Sequence, residues 1–444
     1  MTNEEYIQQH RTEDVRALAL KRMPEGVDAT WCLQQIEGWQ LARKKLPTWS
    51  AAEGLWFPPR LSMEQCSSEW TAEYKCSVVR RLLPEMSMRA KMADFTGGFG
   101  IDFSFMARLF DEAVYVERLP HLCDLARHNF PLLGLDNASV VCCDAQSLFS
   151  DMFSGERPSL GVGSSAEDLT SEAYAAVPGN LSLIYLDPAR RDGAGRKTVA
   201  IEDCTPDVAT LQAALLSRAR YVVVKLSPML DISQALVSLR HVREVHVVSV
   251  RNECKELLLV MERDYGGEVA FACVNFVATD GKIVAADVSR EPPASESGGV
   301  SEACETFVCR RSDAMLTEDV LADVPSAYLY EPNVSILKAG VQDALPYIYK
   351  VRKLHAMSHL FTSDEAIDGF PGRRFAVDGY SDFGKKGVKG LLAGMSKANL
   401  TVRNFPSSVA DLRKKLKLKE GGEVYLFATT LRDGRHVLVR CHKA

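Results

Sequence analysis

The spacing of apolar residues changes after about the first fifth of the chain. Val27 to Arg43 and Met63 to Leu83 carry apolar residues three and four positions apart, which predicts amphipathic helices separated at Trp56 to Pro59. Farther along, short apolar runs alternate with amphipathic segments, which is typical of strand-helix-strand units around a parallel sheet. We therefore predict an all-α N-terminal domain over residues 1–85 and an α/β domain over residues 86–265.

Seven strands are predicted for the α/β domain. The first five are expected to be parallel, and the last two to close the sheet as an antiparallel hairpin around a polar turn. Their predicted ranges are Met92 to Phe95, Ala113 to Glu117, Ser139 to Cys142, Leu183 to Asp187, Tyr221 to Lys225, Val245 to Val250 and Leu257 to Met261. A Ser- and Gly-rich stretch, Gly155 to Gly179, is predicted to be an inserted loop.

The rest of the chain predicts two smaller α+β domains. Residues 266–368 form the first, for which a ferredoxin-like arrangement is one option, and residues 369–444 form the second. The predicted strands are Val269 to Val277, Lys282 to Val288, Arg374 to Val377, Leu400 to Phe405 and Glu423 to Thr430, with a helix over Val409 to Leu416.

Composition excludes several classes of protein. With 46% hydrophobic and 25% charged residues, the chain is neither disordered nor fibrous. Its first residues are polar, and no stretch has the ~18 uninterrupted apolar residues of a membrane span, so we expect a cytoplasmic protein. The twelve cysteines are scattered and are expected to be reduced and mostly buried. Neither cysteines nor histidines show metal-binding spacing, so no metal site is expected.

Charge is distributed unevenly. From Gly372 to Ala444 there are sixteen Lys and Arg against six Asp and Glu, a net charge of +10, whereas the remainder has 37 against 52, a net charge of −15. A basic tail on an acidic body indicates a polyanionic partner, although a solvated basic helix face gives the same pattern.

Acidic residues and glycines meet where the predicted strands end. The first strand runs into Asp94-Phe95-Thr96-Gly97-Gly98-Phe99-Gly100, and a glycine turn between strand and helix lets the backbone approach a nucleotide-like ligand. A dinucleotide fingerprint would need glycine where Phe103 stands, which disfavours NAD. Glu117 ends the second strand and Asp144 follows the third, and the alternative role for such residues is to cap the next helix.

The fourth strand ends in Asp187-Pro188-Ala189-Arg190, and with it the region from Ala90 to Arg263 resembles the class I S-adenosylmethionine (AdoMet)-dependent methyltransferases. The resemblance implies a Rossmann-like sheet of seven strands that binds AdoMet. It implies that the methionine end of AdoMet is held by Asp94, Thr96, Gly97, Gly98 and Gly100, the ribose by Glu117, and the adenine by Asp144 and Ala145. Asp187, which adjoins the cofactor, and Pro188 are implied to orient the nucleophile.

Farther along, Gly372-Arg373-Arg374-Phe375 and the segment from Gly379 to Lys386 resemble methyltransferases with a THUMP-like C-terminal domain. THUMP domains are RNA-binding modules of RNA-modifying enzymes. The cations that would contact RNA are Lys385, Lys386, Lys389, Arg413, Lys414, Lys415 and Lys417. Such a surface binds RNA with a strong dependence on salt.

The substrate motif departs from that of amino-methylating relatives, which have an aromatic ring where this chain has Arg190. Arg190 and Arg191 are candidate RNA contacts, since a guanidinium stacks on bases or pairs with phosphate, but both also fit exposed loop charges. Cys204 is the nearby candidate nucleophile for carbon methylation, but its position before a helix fits a cap region or buried apolar packing better. Lys225, at the end of the fifth strand, fits either a substrate contact or a rim charge.

These observations favour a methyltransferase that modifies a base in tRNA or rRNA docked by the basic C-terminal domain. Two alternatives stay open from the sequence alone. One is an RNA-binding protein with a catalytically degenerate methyltransferase fold, and the other is a methyltransferase for protein or small molecules.

Overall fold

A computed structural model describes residues 1–85, 89–153, 177–190, 201–277, 298–301 and 304–444. Most of the predicted Gly155 to Gly179 loop, the predicted strand Lys282 to Val288, and Arg191 lie outside the described residues. The chain forms two compact units, one with residues 1–243 and 258–266 and the other with residues 244–257 and 267–444. The division into four domains stays a prediction.

The first unit begins with helices. They are α1 (Asn3–His10), α2 (Val15–Ala19), α3 (Ala29–Lys45), α4 (Pro47–Ala51), α5 (Arg60–Gln65) and α6 (Glu69–Leu82). The stretch Met63 to Leu83, predicted as one helix, is divided between α5 and α6. The reason is that the side chain of Ser68 accepts a hydrogen bond from Thr71 N and caps a new helix start.

An α/β sheet follows these helices. Its strands are β1 (Lys91–Asp94), β2 (Glu112–Glu117), β3 (Ala138–Cys142), β4 (Leu181–Leu186), β7 (Ala219–Leu226), β8 (Val242–Val250) and β9 (Glu253–Glu262). Between β4 and β7 the chain forms a separate two-stranded pair, β5 (Ala189–Arg190) and β6 (Cys204–Thr205). The connecting helices are α7 (Ile101–Met106), α8 (Pro120–Leu132), α9 (Ala145–Phe153), α10 (Val208–Arg218) and α11 (Ile232–Ser238).

The strand order β3-β2-β1-β4-β7-β9-β8 confirms the predicted fold class, but it is part of a ten-stranded sheet and not of the predicted seven-stranded one. The first five strands pair in parallel, and β4 is buried along its whole length, as expected for strands covered on both faces. Arg263 N, after β9, donates to Arg220 O at the start of β7, so β9 runs antiparallel to β7. Because the order reverses direction between β1 and β4, the ends of these strands form the edge where such sheets bind ligands.

The second unit contains a further group of strands and a seven-stranded sheet. In the first group, β8 pairs in parallel with β10 (Ala270–Phe276), which pairs antiparallel with β12 (Cys304–Arg310), and β12 pairs with β11 (Gly298–Ser301). The strands of the seven-stranded sheet are β13 (Tyr328–Pro332), β14 (Arg352–Lys353), β15 (Phe361–Ser363), β16 (Gly372–Asp382), β17 (Asn399–Arg403), β18 (Val424–Thr430) and β19 (His436–Lys443). Its helices are α12 (Val334–Ala339), α13 (Leu345–Tyr349), α14 (Lys385–Leu391) and α15 (Val409–Leu416).

The seven-stranded sheet is ordered β14-β15-β13-β16-β19-β18-β17, and two apolar clusters pack against its strands. Successive residues of β18 enter different clusters: Leu426 packs with Leu412 of α15, and Phe427 packs with Phe375 of β16. This alternation follows from the opposite directions of successive side chains in a strand. The predicted helix at α15 matches the structure residue for residue, whereas β19 was not predicted.

Candidate active site

The chain turns tightly between the end of β1 and the start of α7. Gly98 and Gly100 have φ angles of +57° and +84°, a region that favours glycine. At Gly97 an added Cβ would lie 2.2 Å from the Tyr115 ring. The space beside Gly98 is different, because among the described atoms only Thr96 O, at 3.7 Å, lies within 4 Å of an added Cβ. The turn therefore offers an open backbone surface at Gly98.

Asp94 lies at the base of this turn and is 1% exposed. Its Oδ1 accepts hydrogen bonds from Thr96 N at 2.8 Å and from Thr96 Oγ1 at 3.2 Å. Burial raises the pKa of Asp94 to about 8, and the neighbouring carboxyls of Asp102 and Asp187 act in the same direction. Thr96 Oγ1 also accepts from Asp187 N at 2.6 Å, so Thr96 connects the end of β1 to the end of β4.

Glu117, at the end of β2, holds two backbone segments. One carboxylate oxygen accepts from Gly98 N at 2.9 Å, and the other accepts from Leu119 N at 2.9 Å. Each oxygen of a carboxylate has two lone pairs, so these bonds leave acceptor capacity on both. Glu117 therefore supports the glycine turn while presenting oxygens that can accept further hydrogen bonds.

Asp144 caps a helix, which is the alternative role considered from the sequence. Its Oδ1 accepts from Gln146 N at 2.9 Å and from Ser147 N at 3.1 Å at the start of α9. Ala145 is the first residue of α9 and is buried. These contacts account for Asp144 structurally, and a contact with adenine stays a prediction.

The predicted substrate motif begins directly after β4. The Asp187 side chain is 40% exposed, and its Oδ2 accepts from Lys225 Nζ at 2.6 Å. Pro188 is buried, and Arg190 lies in β5 opposite Cys204 of β6. The cysteine considered as a nucleophile therefore lies beside the motif, but its side chain is 2% exposed.

Two charged residues behind this site were missed by sequence reasoning. Asp102, in the first turn of α7, is buried, and its carboxylate lies between Lys75 Nζ of α6 at 3.2 Å and Lys225 Nζ at 3.7 Å. Burial opposes the charge of Asp102, but the two lysines and hydrogen bonds outweigh burial and lower its pKa. A signal was available: Lys75 lies on the face of α6 that carries the buried residues, where an unpaired lysine would be costly.

Comparison with known proteins identifies the fold to which this site belongs. The chain is similar, at 29% identity and a TM-score of 0.75, to a protein of solved structure from Porphyromonas gingivalis W83 that is assigned as a methyltransferase, over 100% of this chain and 97% of that one. The strand order and this similarity decide the fold. The chain has a class I methyltransferase fold. None of the curated proteins compared with the chain matches it.

Two family models match the second unit. A THUMP domain-like model matches residues 372–443, and a ferredoxin-like domain model matches residues 328–371. The chain therefore carries a THUMP-like domain at its C-terminal end, as the sequence predicts.

Partial similarities extend to other methyltransferases. The methyltransferase subunit of a type I restriction-modification system from Streptococcus thermophilus is 13% identical, with a TM-score of 0.32 over 50% of this chain and 51% of that one. A protein from Streptococcus mutans, assigned as a methyltransferase and solved in complex with SAH, is 12% identical, with a TM-score of 0.28 over 42% and 96%. These scores are too low to bear on the reaction.

The methyltransferase fold also explains why Phe103 is not glycine. Phe103 is fully buried, stacks on Phe130 at a centroid distance of 5.1 Å and meets Tyr115 edge-on at 5.5 Å. Aromatic packing thus occupies the position where a dinucleotide site needs glycine for close contact between helix and strand.

The predicted RNA contacts of the THUMP-like domain come from α14 and α15, which pack on one apolar cluster. Lys385, Lys386 and Lys389 of α14 are exposed, as are Lys414, Lys415 and Lys417 in and after α15. Lys415 Nζ lies 4.8 Å from the centroid of the Phe383 ring, just before α14. Arg413 differs, because it pairs with Glu420 at 2.7 Å. We call these six exposed lysines together the lysine face.

The described residues show neither of two other kinds of site. They contain no group of three or more His, Cys, Asp or Glu side chains arranged to hold a metal ion. None of the helices in this part of the chain combines the length and apolar character that crossing a bilayer requires.

Proposed function

We propose that the protein is an AdoMet-dependent methyltransferase that modifies a base in tRNA or rRNA. The observation that carries the proposal is the arrangement at one sheet edge. The open backbone at Gly98 lies in the turn after Asp94 and donates to Glu117, and Asp187 is held to the same turn through Thr96. A ligand with a ribose and a charged amino-acid end suits such a set of acceptors and backbone groups.

The described residues fit AdoMet. Glu117 would accept the ribose hydroxyl hydrogens on oxygens that each hold one backbone N–H. Asp94, Thr96, Gly97, Gly98 and Gly100 would hold the methionine end, and Asp144 with Ala145 the adenine. A cation beside buried Asp94 would favour its ionised form. When bound, AdoMet supplies an electrophilic methyl group for in-line transfer.

The main contribution of the protein would be to align the nucleophile with the methyl group, because correct positioning accounts for much of the rate enhancement in such a displacement. Asp187 and the backbone at Pro188 would orient the hydrogens of the nucleophile toward the cofactor. Lys225 Nζ donates to Asp187 Oδ2 at 2.6 Å, which holds this carboxylate in one direction. We therefore assign Asp187 an orienting role. Arg190 and Arg191 follow it in the chain and would contact the RNA.

The lysine face of the THUMP-like domain supports RNA as the substrate. Its cations are exposed and drawn from two neighbouring helices, a pattern that suits phosphates along a nucleic acid backbone. The basic charge is concentrated in this domain, whereas the rest of the chain is acidic. A substrate docked through its phosphates would not need base-specific contacts here.

Calorimetric titration with AdoMet, with S-adenosylhomocysteine and with NAD as control tests the cofactor. We expect micromolar binding of the first two and none of NAD. Labelled methyl transfer from AdoMet into tRNA and rRNA then tests the substrate. AdoMet binding without transfer to RNA but with transfer to protein or small molecules would contradict the RNA assignment. Absence of AdoMet binding, with RNA binding retained, would instead favour a degenerate fold that only binds RNA.

A further inference from the structure

Four side chains of alternating charge run from a helix of the first unit to the candidate active site. Lys75 Nζ lies 3.2 Å from Asp102 Oδ1, Asp102 Oδ2 lies 3.7 Å from Lys225 Nζ, and Lys225 Nζ lies 2.6 Å from Asp187 Oδ2. Exposure of the side chains rises along the series, from 0% at Lys75 to 40% at Asp187. The buried end therefore lies within the protein and the exposed end at the site.

The buried end is built as a fixed support. Asp102 Oδ2 accepts from Ser67 Oγ and from Tyr185 OH, both at 2.8 Å. Lys75 Nζ donates to Ser67 Oγ at 3.3 Å, and its contact with Asp102 is an ion pair without hydrogen-bond alignment. A charge buried without a partner is strongly destabilising, so these groups hold one another in place.

The exposed end needs such a support. The backbone of Asp187 is fixed, because its N donates to Thr96 Oγ1, but its carboxylate is 40% exposed, and the described contact that orients it comes from Lys225. A catalytic group displaced by about 1 Å can cost about 100-fold in rate. The direction of the Asp187 carboxylate thus depends on where the Lys225 ammonium is held.

We propose that Lys75 and Asp102 are positioning residues for methyl transfer, acting through Lys225 to orient the carboxylate of Asp187. The inference rests on the proposed function and adds to it residues outside the cofactor and substrate motifs. Lys75 belongs to α6, before the α/β sheet begins, so the N-terminal helices would support the site from behind.

The test is the double variant Lys75→Met with Asp102→Asn. It removes one cation and one anion together, so neither is left as a lone buried charge, and the Lys225–Asp187 pair stays neutral. We expect a folded protein whose kcat for methyl transfer falls roughly 10- to 100-fold, because alignment is lost. The KM for AdoMet should stay within a few-fold, since neither residue is among those predicted to hold the cofactor.

The exposed pair Lys91 and Glu112, at the start of β1 and β2, provides a matched control. Lys91→Met with Glu112→Gln also removes one cation and one anion from the sheet, but far from its carboxyl edge, and should leave kcat unchanged. A kcat of the Lys75 and Asp102 double variant within twofold of wild type would overturn the proposal and make the series purely structural.

A crystal structure of the double variant gives a second result that needs no activity. We expect the Asp187 carboxylate to be ordered toward Lys225 in wild type and spread over several rotamers in the variant. One common orientation in both would overturn the proposal even if the enzyme reaction were of another kind. Absence of methyl transfer by wild type, by contrast, would count against the proposed function and leave this structural result to be judged separately.

Discussion

Charged residues are used differently in the candidate active site and on the lysine face. At the candidate active site, Asp94, Asp102 and Lys75 are buried and each has named partners within a few ångströms. On the lysine face of the THUMP-like domain, Lys385, Lys386 and their neighbours are exposed. A buried charge acts through one fixed geometry, whereas exposed cations act together on a polyanion, each contributing little.

This contrast indicates which mutations are informative. At the acidic sheet edge a single substitution should measurably change either AdoMet binding or methyl transfer. On the lysine face a single substitution should change almost nothing, and several are needed to change affinity. The following predictions test this difference, beginning with the largest expected effect.

Asp187→Asn should lower kcat for methyl transfer by about 100-fold or more, because the nucleophile loses its orienting carboxylate. AdoMet affinity should stay within a few-fold of wild type. Single-turnover transfer and calorimetry measure the two quantities. Full activity of the variant would remove Asp187 from the mechanism, and loss of AdoMet binding would move it to the cofactor site.

Glu117→Gln should weaken AdoMet binding roughly 10- to 100-fold, since a charge-assisted acceptor is worth about 1.5–3 kcal/mol. The substitution keeps the size of the side chain and one acceptor oxygen, so Gly98 N keeps more of its support than with alanine. Calorimetry measures the change, and an unchanged melting temperature without ligand shows that the turn is intact. Equal affinity in both proteins would exclude Glu117 as the ribose ligand.

Asp94→Asn should stabilise the free protein increasingly as pH rises. The folded state keeps Asp94 protonated up to about pH 8, whereas the unfolded chain ionises near the ordinary carboxyl pKa, so wild-type stability falls with rising pH between these values. The variant does not undergo this decrease. The difference in free energy of unfolding between variant and wild type should grow by at most about 1.4 kcal/mol per pH unit between the ordinary carboxyl pKa and about pH 8. Urea unfolding at pH 5, 6.5 and 8 measures this difference, and a constant difference would contradict a raised pKa for Asp94.

Replacing Lys385, Lys386 and Lys389 together by glutamine should weaken RNA binding about threefold to tenfold near physiological salt. The slope of log affinity against log salt should fall by about 0.7 to 0.9 for each RNA phosphate that is no longer neutralised. The rate at saturating RNA should not change. A matched triple glutamine variant at Arg16, Arg22 and Lys44, which are exposed cations of the first unit, serves as control. Equal effects in both variants would mean that only net charge matters.

The exposed pair Lys91 and Glu112 should contribute least. Removing both charges should change the free energy of unfolding by less than about 1 kcal/mol, because solvent screens exposed ion pairs. Thermal unfolding measures the change. A larger decrease in stability would show that burial is a poor guide to the importance of charges in this sheet.

The parallel strands of the α/β sheet and the glycine turn after β1 could be predicted from the order of residues alone. Apolar runs of four to six residues located the parallel strands because buried strands must be apolar on both faces, and the strand order then confirmed the fold. Glycines at the turn after β1 were recognisable because positive φ angles favour glycine. The helix Val409–Leu416 was predicted to the residue because Ser408 caps it and its apolar residues follow the helical period.

Which charges meet is a property of the folded chain. Lys75, Asp102, Lys225 and Asp187 are far apart in the sequence, and no periodic pattern marks them as a series. Their pairing depends on α6 packing beside α7 and on β4 lying next to β7. Asp144, likewise, proved to cap α9. Local patterns reflect local hydrogen bonding and burial, whereas ion pairs between elements depend on distances that exist only after the sheet has formed.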